Sequence, residues 1–276
     1  MLSIEQAIQY QNDSAVSKAA STRSLGKYSV STMLAGAYIG IGVVLMCAAA
    51  GPFQAEHNPA AKFVSGLVFG VALTLVTVAG SDLLTSTMMT ISQGAYNRAI
   101  RMRDWTRTLL LCTAGNLVGS VIFALFVHLG GGFKPGSAPY VYLEYTVTSK
   151  ATSTPVEVFF KGILCNIIVC LAIWGGIRLK SESARLILIF WCALAFITSG
   201  FEHVVANMTT FSLAIFSGVP GIGFDDFTTN ILASGLGNLV GGGLIVGVGY
   251  CVLAGSRAKR STFAGEVSLD GTSSHA

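Results

Sequence analysis

Residues 186–216 form an apolar run that is interrupted at its centre by polar side chains. The run is longer than the roughly 20 apolar residues that a helix needs to cross a bilayer. Its middle nevertheless contains Gly200, Glu202 and His203, and ionisable groups at that depth are costly and are rarely kept without a function. We therefore interpret the run as two half-helices that meet at the working centre of a membrane transport protein. A kinked helix in which Glu202 and His203 pair with each other is the alternative.

The composition supports a helical membrane protein with several spans. Of the 276 residues, 52% are hydrophobic and only 11% are charged, whereas a soluble domain carries about 25% charge. The 32 glycines would let neighbouring helices approach closely. The net charge of +4 comes from basic residues in short loops, so we expect no nucleic-acid partner. The six cysteines lie in apolar runs without a C-x-x-C pair, which predicts small buried side chains and neither disulfides nor a metal site.

A second apolar run, residues 63–91, is interrupted in the same way at the segment 80–87, GSDLLTST. We expect Asp82 to cap the half-helix that follows, by accepting hydrogen bonds from its first free amides. The other predicted spans are 28–50, 108–130, 156–177 and 227–253, and a long loop is predicted for residues 131–154. Residues 1–27 are predicted to contain an amphipathic helix on the cytoplasmic membrane surface, with a soluble capping helix as the alternative. Residues 28–254 would form the channel domain, and residues 255–276 a disordered tail.

The pentapeptide Gly-Asn-Leu-Val-Gly occurs twice, in the third span and again in the sixth. Asn116 lies 34 residues after Asp82, and Asn238 lies 35 residues after His203. Each half therefore reads as a span, a broken span and a span with the pentapeptide. Because a unit of three crossings reverses its orientation when it repeats, we predict an all-α membrane protein of six transmembrane helices, arranged as two inverted three-helix repeats with helices two and five broken.

The distribution of lysine and arginine predicts the orientation. An even number of spans puts both termini on one side, and that side collects thirteen basic residues against three on the other. The three are Lys62, Lys134 and Lys150. Both termini are therefore expected in the cytoplasm.

Two ionisable side chains inside the spans are candidates for function. Lys161 lies about six residues inside the fourth span, where it either attracts anions towards a pore or extends its amine to the membrane surface. His203 is the only histidine deep in the apolar body, and imidazole can donate or accept a proton near neutral pH. No Ser-His-Asp order, zinc signature or nucleotide-binding loop is present, so we expect no enzyme and no cofactor.

The segments GSDLLTST at 80–87, FFKGILCN at 159–166 and SGFEHVVANM at 199–208, with the two GNLVG copies, resemble the formate/nitrite transporter family. The resemblance covers nearly the whole chain. It implies an aquaporin-like fold and a homopentamer in the lipid bilayer, with a separate pore for small monovalent anions in each protomer. FFKGILCN and ANMTTF look closer to the nitrite branch.

The resemblance also assigns roles to individual positions. In the family, a central histidine with an adjacent glutamate, a loop threonine, an entrance lysine and two supporting asparagines lie along the substrate path. These positions fall here on His203, Glu202, Thr85, Lys161, Asn207 and Asn238. The family's apolar constrictions fall on Phe69, Leu73 and Phe196 on the outer side, and on Leu83 and Leu84 on the inner side. The formate branch often has Phe where this chain has Leu84, so the inner constriction differs in shape.

The expected function is therefore a channel or transporter in the bacterial inner membrane for nitrite first and formate second, with proton-linked passage through His203. Hydrosulfide-conducting members share the architecture, and an aquaporin-like pore for neutral solutes is a further alternative. The competing class is a membrane protein that binds an anion without passing it.

Overall fold

The apolar runs of the sequence form helices. The computed structural model describes residues 1–255, and all regular elements in that range are helical, which confirms the predicted all-helical class. In chain order they are α1 (Ile4–Ser21), α2 (Leu25–Ala55), α3 (Ala60–Val78), α4 (Leu84–Tyr96), α5 (Met102–Leu129), α6 (Ala138–Ala151), α7 (Pro155–Arg178), α8 (Glu182–Thr198), α9 (Val204–Phe216), α10 (Phe224–Asn238), a π-helical segment (Leu239–Val248) and α11 (Gly249–Leu253). The disordered tail predicted for residues 255–276 lies outside the described residues from residue 256 onwards.

Five helices in the described part of the chain are long and apolar enough to cross a membrane. They are α2, α3, α5, α7 and the continuous helix Phe224–Leu253, which joins α10, the π-helical segment and α11. The 31 residues of α2 extend about 46 Å at 1.5 Å per residue, which exceeds the roughly 30 Å of a bilayer core. A shorter apolar helix is α9.

The two interrupted runs each contain a pair of shorter helices. In the first, α3 ends at Val78 and α4 begins at Leu84; in the second, α8 ends at Thr198 and α9 begins at Val204. Each interruption contains a glycine in the left-handed region, Gly80 at φ 74° and Gly200 at φ 73°. Glycine adopts that conformation without the strain that a Cβ atom would add. The first amides of α4 and α9 therefore face the interior and need hydrogen-bond acceptors there.

The segment 131–154 is not the loop that the sequence predicted, because α6 occupies most of it. Its valine, tyrosine and threonine residues have low helix propensity, which explains the wrong prediction. Tertiary packing compensates: Leu143 and Val147 are fully buried, and α6 lies against α2. At Gly51 of α2, an added Cβ would lie 2.3 Å from the carbonyl oxygen of Ala138.

The N-terminal helix α1 packs on the protein through its apolar side. Ala7, Ile8 and Ala15 are buried, and the Thr90 hydroxyl in α4 donates a hydrogen bond to Gln11 Oε1 at 2.9 Å. The backbone of Leu2 is also bonded to the end of α7, since its N–H donates to the Arg178 carbonyl at 2.9 Å. These contacts hold α1 against α4 and the end of α7.

The glycines of the two GNLVG copies let each of the two helices pack closely against a partner. A Cβ at Gly119 would lie 1.9 Å from the Met33 carbonyl oxygen in α2, and one at Gly241 would lie 2.2 Å from the Ile163 carbonyl oxygen in α7. The repeated pentapeptide thus marks the same backbone-to-backbone contact in both halves: α5 on α2, and the last helix on α7. Only glycine fits at such a distance.

Substitution of Gly119 tests this contact. Gly119→Ala is expected to destabilise the protein by about 1–3 kcal/mol, because the new methyl group must displace the backbone of α2. The readout is the thermal stability of the detergent-solubilised protein. Gly26→Ala, also within a helix but with nothing within 4 Å of the added Cβ, is the matched control and should be neutral or slightly stabilising. Equal stability of the two variants would contradict the close approach.

Candidate functional site

A threonine and a histidine meet where the two interruptions come together. Thr85 Oγ1 in α4 lies 3.2 Å from Nε2 of His203, the residue that precedes α9, and both side chains are buried. His203 Nδ1 accepts a hydrogen bond from the Ala206 amide at 3.2 Å, so this side chain caps α9. Because Nδ1 uses its lone pair in this bond, the proton of the neutral ring is on Nε2, facing Thr85. The pair therefore presents a hydroxyl and an N–H donor in an apolar interior.

An asparagine from each GNLVG copy holds the start of one half-helix. Asn116 Oδ1 accepts from the Leu84 amide at 2.9 Å, and Asn238 Oδ1 accepts from the Val204 amide at 2.9 Å. Each side chain also donates twice through Nδ2, to a carbonyl in the interruption and to one in the first helix of its half. The acceptors are the carbonyls of Asp82 and Thr32 for Asn116, and of Glu202 and Gly162 for Asn238. These bonds join three segments in each half.

The prediction that Asp82 caps α4 is wrong. The cap position is Leu83, without a side-chain cap, and the Leu84 amide is satisfied by Asn116. The Asp82 carboxylate instead pairs with Lys18 of α1 and accepts from the Ser31 hydroxyl at 2.9 Å. Its partners are thus a cation and a hydroxyl, and a hydrogen bond from a cation is among the strongest that a carboxylate accepts.

Glu202, at the equivalent place in the second interruption, also has a lysine partner. Lys150 Nζ lies 2.8 Å from Glu202 Oε2, and Asn207 Nδ2 donates to the same oxygen at 2.6 Å. Asn207 Nδ2 is also 2.7 Å from Asn230 Oδ1. The sequence interpretation placed Lys150 in an outer loop; the structure places it on α6 beside the interruption. The alternative in which Glu202 pairs only with His203 is therefore wrong, because Lys150 and Asn207 bind the carboxylate.

A cavity of about 200 Å³ lies on the Lys150 side of His203. Besides Lys150 and Glu202, its walls include Lys62 and Lys161. Lys161 Nζ lies 3.1 Å from Ser153 Oγ, so the predicted entrance lysine faces this cavity from α7. One of the three lysines is paired with Glu202, and the cavity therefore has a positive excess, which favours anions.

A second cavity, of about 300 Å³, lies on the α1 side of the interruptions. Its walls include the pair Lys18–Asp82, together with Ser86, Thr90 and Arg185. The two polar cavities thus lie on opposite sides of the buried Thr85–His203 pair.

Apolar side chains surround that pair. The rings of Phe69 and Phe196 make an edge-to-face contact with centroids 5.7 Å apart, and Phe196 stacks on the His203 ring at 5.9 Å. Leu73 is buried on the same helix as Phe69. Leu83 and Leu84 are buried at the start of α4, directly before Thr85. All five predicted constriction residues therefore lie in the buried core that includes both interruptions.

Four polar residues were missed as site residues. Lys150 and Lys62 carried no signal beyond their charge, but Asn116 occupies the same place in its GNLVG copy as Asn238 and could have been chosen by that symmetry. Asn166, in the segment FFKGILCN, links the halves: its Nδ2 donates to the carbonyls of Asn238 at 2.7 Å and Thr85 at 3.2 Å.

The chain belongs to the formate/nitrite transporter family, because the family model described as "Formate/nitrite transporter" matches residues 5–252. The resemblance seen in the sequence is thereby confirmed. This family consists of transporters and channels, so the protein is a membrane transport protein and not an enzyme.

Individual relatives and solved structures are also similar to this chain. The nitrite transporter NirC of Escherichia coli (strain K12) is 37% identical over 246 residues, which are 87% of each chain. The formate channel FocA of the same strain is 30% identical over 238 residues, covering 79% of this chain and 83% of FocA. Among solved structures, an "FNT family ion channel" superposes with a TM-score of 0.84 at 36% identity, over 90% of this chain and 98% of that one. A "pentameric formate channel with formate bound" gives 0.74 at 26% identity, over 85% and 99%.

The asparagine caps lead to a stability prediction. Asn238→Asp keeps an acceptor for the Val204 amide but loses both donated bonds and brings a carboxylate into the interior. We expect a loss of about 2–5 kcal/mol, measured as thermal stability in detergent. Asn58→Asp is the matched control, because Asn58 only accepts, from the Ala60 amide at 2.9 Å, and is exposed. A stability of Asn238→Asp equal to that of the control would mean that the two donated bonds contribute nothing.

Proposed function

We propose that this protein is a channel or transporter of the bacterial inner membrane for a small monovalent anion, with nitrite as the first substrate and formate as the second. The observation that carries the proposal is the buried Thr85–His203 pair between two polar cavities, one of them rich in lysine. Nitrite is placed first because the identity to the nitrite transporter is 37% over 87% of the chain, against 30% over 79% for the formate channel.

The proposed architecture has six crossings in two inverted three-helix repeats, as in aquaporins. In this arrangement α3 with α4, and α8 with α9, each form one interrupted crossing. The equivalent caps by Asn116 and Asn238 support the repeat, and so do the equivalent glycine contacts of the two pentapeptides. Two half-helices whose amides point to the centre are typical of sites for anionic substrates at the middle of the membrane.

The proposed topology has both termini in the cytoplasm, with residues 1–27 as a cytoplasmic segment before the channel domain of residues 28–254. It rests on the excess of basic residues on one side of the spans. In this orientation the cavity with Lys62, Lys150 and Lys161 opens to the outside, and the cavity beside α1 opens to the cytoplasm.

The proposed assembly is a homopentamer. It is supported by the pentameric formate channel that superposes on this chain. The mass of the assembly in mild detergent, measured by native mass spectrometry, tests the number of chains.

In the proposed route, charge draws the anion to the outer cavity and hydrogen bonds receive it at the centre. Lys161 and Lys62 raise the local anion concentration, while Lys150 neutralises Glu202. Phe69, Leu73 and Phe196 on the outer side, and Leu83 and Leu84 on the inner side, exclude hydrated ions, because a bare charge in an apolar constriction costs many kcal/mol. Between them, Thr85 and His203 offer the donors that replace water.

The proposed proton step explains how the anion of a weak acid is distinguished from chloride. Loss of solvation makes nitrite or formate a stronger proton acceptor, whereas chloride stays a very weak base. A proton from cavity water first converts the His203 ring to imidazolium; the anion then takes the Nε2 proton and leaves as the neutral acid, and the ring is neutral again. In the neutral ring, the bond from the Ala206 amide to Nδ1 orients Nε2 towards the path. Asn207 and Asn238 support the site by holding Glu202 and the start of α9.

Uptake into liposomes decides among the remaining functions. Nitrite, formate, hydrosulfide and chloride are compared under an imposed pH gradient, together with water and glycerol permeability. Binding of anion without flux would contradict transport and favour the anion-binding class. Permeability to neutral solutes that is unaffected by loss of Lys161 would favour an aquaporin-like pore.

The first functional prediction concerns Lys161. Lys161→Ala is expected to raise the KM for nitrite by about two- to fivefold with little change in maximal flux, because one charge near the entrance contributes about 1 kcal/mol in a wet cavity. Lys134→Ala is the matched control, since this exposed lysine lies in the segment between α5 and α6 on the same proposed side. If uptake by Lys161→Ala matches the control at all concentrations, Lys161 extends its amine to the membrane surface and does not attract the anion.

The second concerns His203. Asn at this position can still accept from the Ala206 amide and cap α9, so His203→Asn should fold. Proton-coupled nitrite uptake should fall at least about tenfold, since general acid–base groups contribute roughly 10²–10⁴-fold where they act. Any electrogenic anion current should survive or rise. His128→Asn, on α5 beside Phe216, is the control and should transport normally. Normal proton-coupled uptake by His203→Asn would mean that His203 only donates a hydrogen bond on the path and does not transfer a proton.

A further inference from the structure

A groove runs along the outer surface between α2 and α5. These helices start at the same side of the membrane and run parallel, since Thr32 faces Gly115 and Gly40 faces Phe123. Two open cavities lie along the outer surface of this helix pair, one of about 660 Å³ near the helix starts and one of about 260 Å³ further along. We name this surface the α2–α5 groove and define it by Leu25, Val30, Ala37, Arg107, Leu110 and Phe126.

The groove has a cationic end and an apolar body. Arg103 and Arg107, one turn apart on α5, line the end near the helix starts together with Leu25. Beyond them every residue that lines the second cavity is apolar, from Val30 on α2 to Phe126 on α5. From Leu25 to Ala37 the groove extends about 18 Å at 1.5 Å per residue, slightly more than half of the roughly 30 Å of a bilayer core. Its length therefore fits one leaflet.

The two arginines are arranged to bind an anionic group. Arg107 Nη2 donates to the Thr22 carbonyl at 3.0 Å, which fixes the guanidinium at the mouth of the groove and leaves its other N–H donors free for a ligand. Guanidinium groups bind phosphate oxygens through paired hydrogen bonds, which a lysine cannot reproduce. Arg23 and Lys27 lie exposed on the chain that enters α2 and add positive charge at the same level. Basic pockets between membrane helices at this level bind lipid head groups.

We infer that the α2–α5 groove is a binding site for an anionic phospholipid, whose phosphate contacts Arg103 and Arg107 and whose acyl chain lies against Val30, Ala37 and Phe126. A neighbouring copy of the chain is the alternative occupant, and the Ala37→Phe variant described below distinguishes it from lipid. The inference does not depend on the transported anion. Lipid binding is measured without flux, so its failure leaves the transport proposal intact.

Native mass spectrometry of the full chain in mild detergent tests the head-group part. The probes are dioleoyl phosphatidylglycerol, which is anionic, and dioleoyl phosphatidylcholine, which is not. The wild type should prefer the anionic lipid, and the double variant Arg103→Gln with Arg107→Gln should bind it about thirtyfold more weakly at low salt, at roughly 1 kcal/mol for each charge. Arg98→Gln with Lys180→Gln removes two exposed charges elsewhere and should bind as the wild type does. Equal binding of both lipids by the wild type, or an unchanged preference in the first variant, overturns the inference.

A second variant tests the acyl-chain part. Ala37→Phe fills the groove about 18 Å from Leu25, beyond the reach of six-carbon chains. It should weaken the binding of dioleoyl phosphatidylglycerol several-fold and leave the binding of dihexanoyl phosphatidylglycerol unchanged. If it weakens neither lipid but dissociates the assembly, the groove is a contact between copies of the chain and the inference is wrong.

Discussion

The amide side chains of Asn116 and Asn238 hold the two half-helices in place, and the geometry of the centre depends on them. A helix that begins inside a membrane leaves its first amides without partners, and no water is present there to satisfy them. Each asparagine satisfies one such amide and ties the interruption to the first helix of its half with its two N–H groups. The same side chain thus satisfies the start of one helix and bonds the interruption that precedes it.

The hydrogen bonds at the centre depend on which helix amides these caps leave unpaired. With the Val204 amide bonded to Asn238, the Ala206 amide remains for His203, and that bond determines which imidazole nitrogen carries the proton. In the first half the equivalent position is Leu83, which offers no side-chain cap. The repeat therefore supplies one polar and one apolar residue to the same central region. Asn166 joins the two halves behind them through the Thr85 and Asn238 carbonyls.

The sequence predicted those parts of the molecule that depend on local pattern. Apolar runs predicted the helices, and the glycine and carboxylate of each interruption predicted where helices end. Contacts between residues far apart in the sequence could not be predicted from local pattern. The cap of α4 comes from an asparagine 32 residues away, so the nearby Asp82 was chosen instead. Lys150 was missed because α6 is helical through packing, with a sequence of poor helix formers, and only a helix brings that lysine to Glu202.

The two cavities carry unequal fixed charge. One contains three lysines and a single carboxylate, and the other contains a lysine and an arginine with one carboxylate. Fixed charge at a mouth sets the local concentration of permeant ions there, so equal bulk solutions would present different anion concentrations to the two ends of the proposed path. The proposed pore should therefore rectify, carrying more anion current in one direction than in the other at voltages of equal size. Raising the ionic strength screens both mouths and makes the current–voltage relation more symmetric.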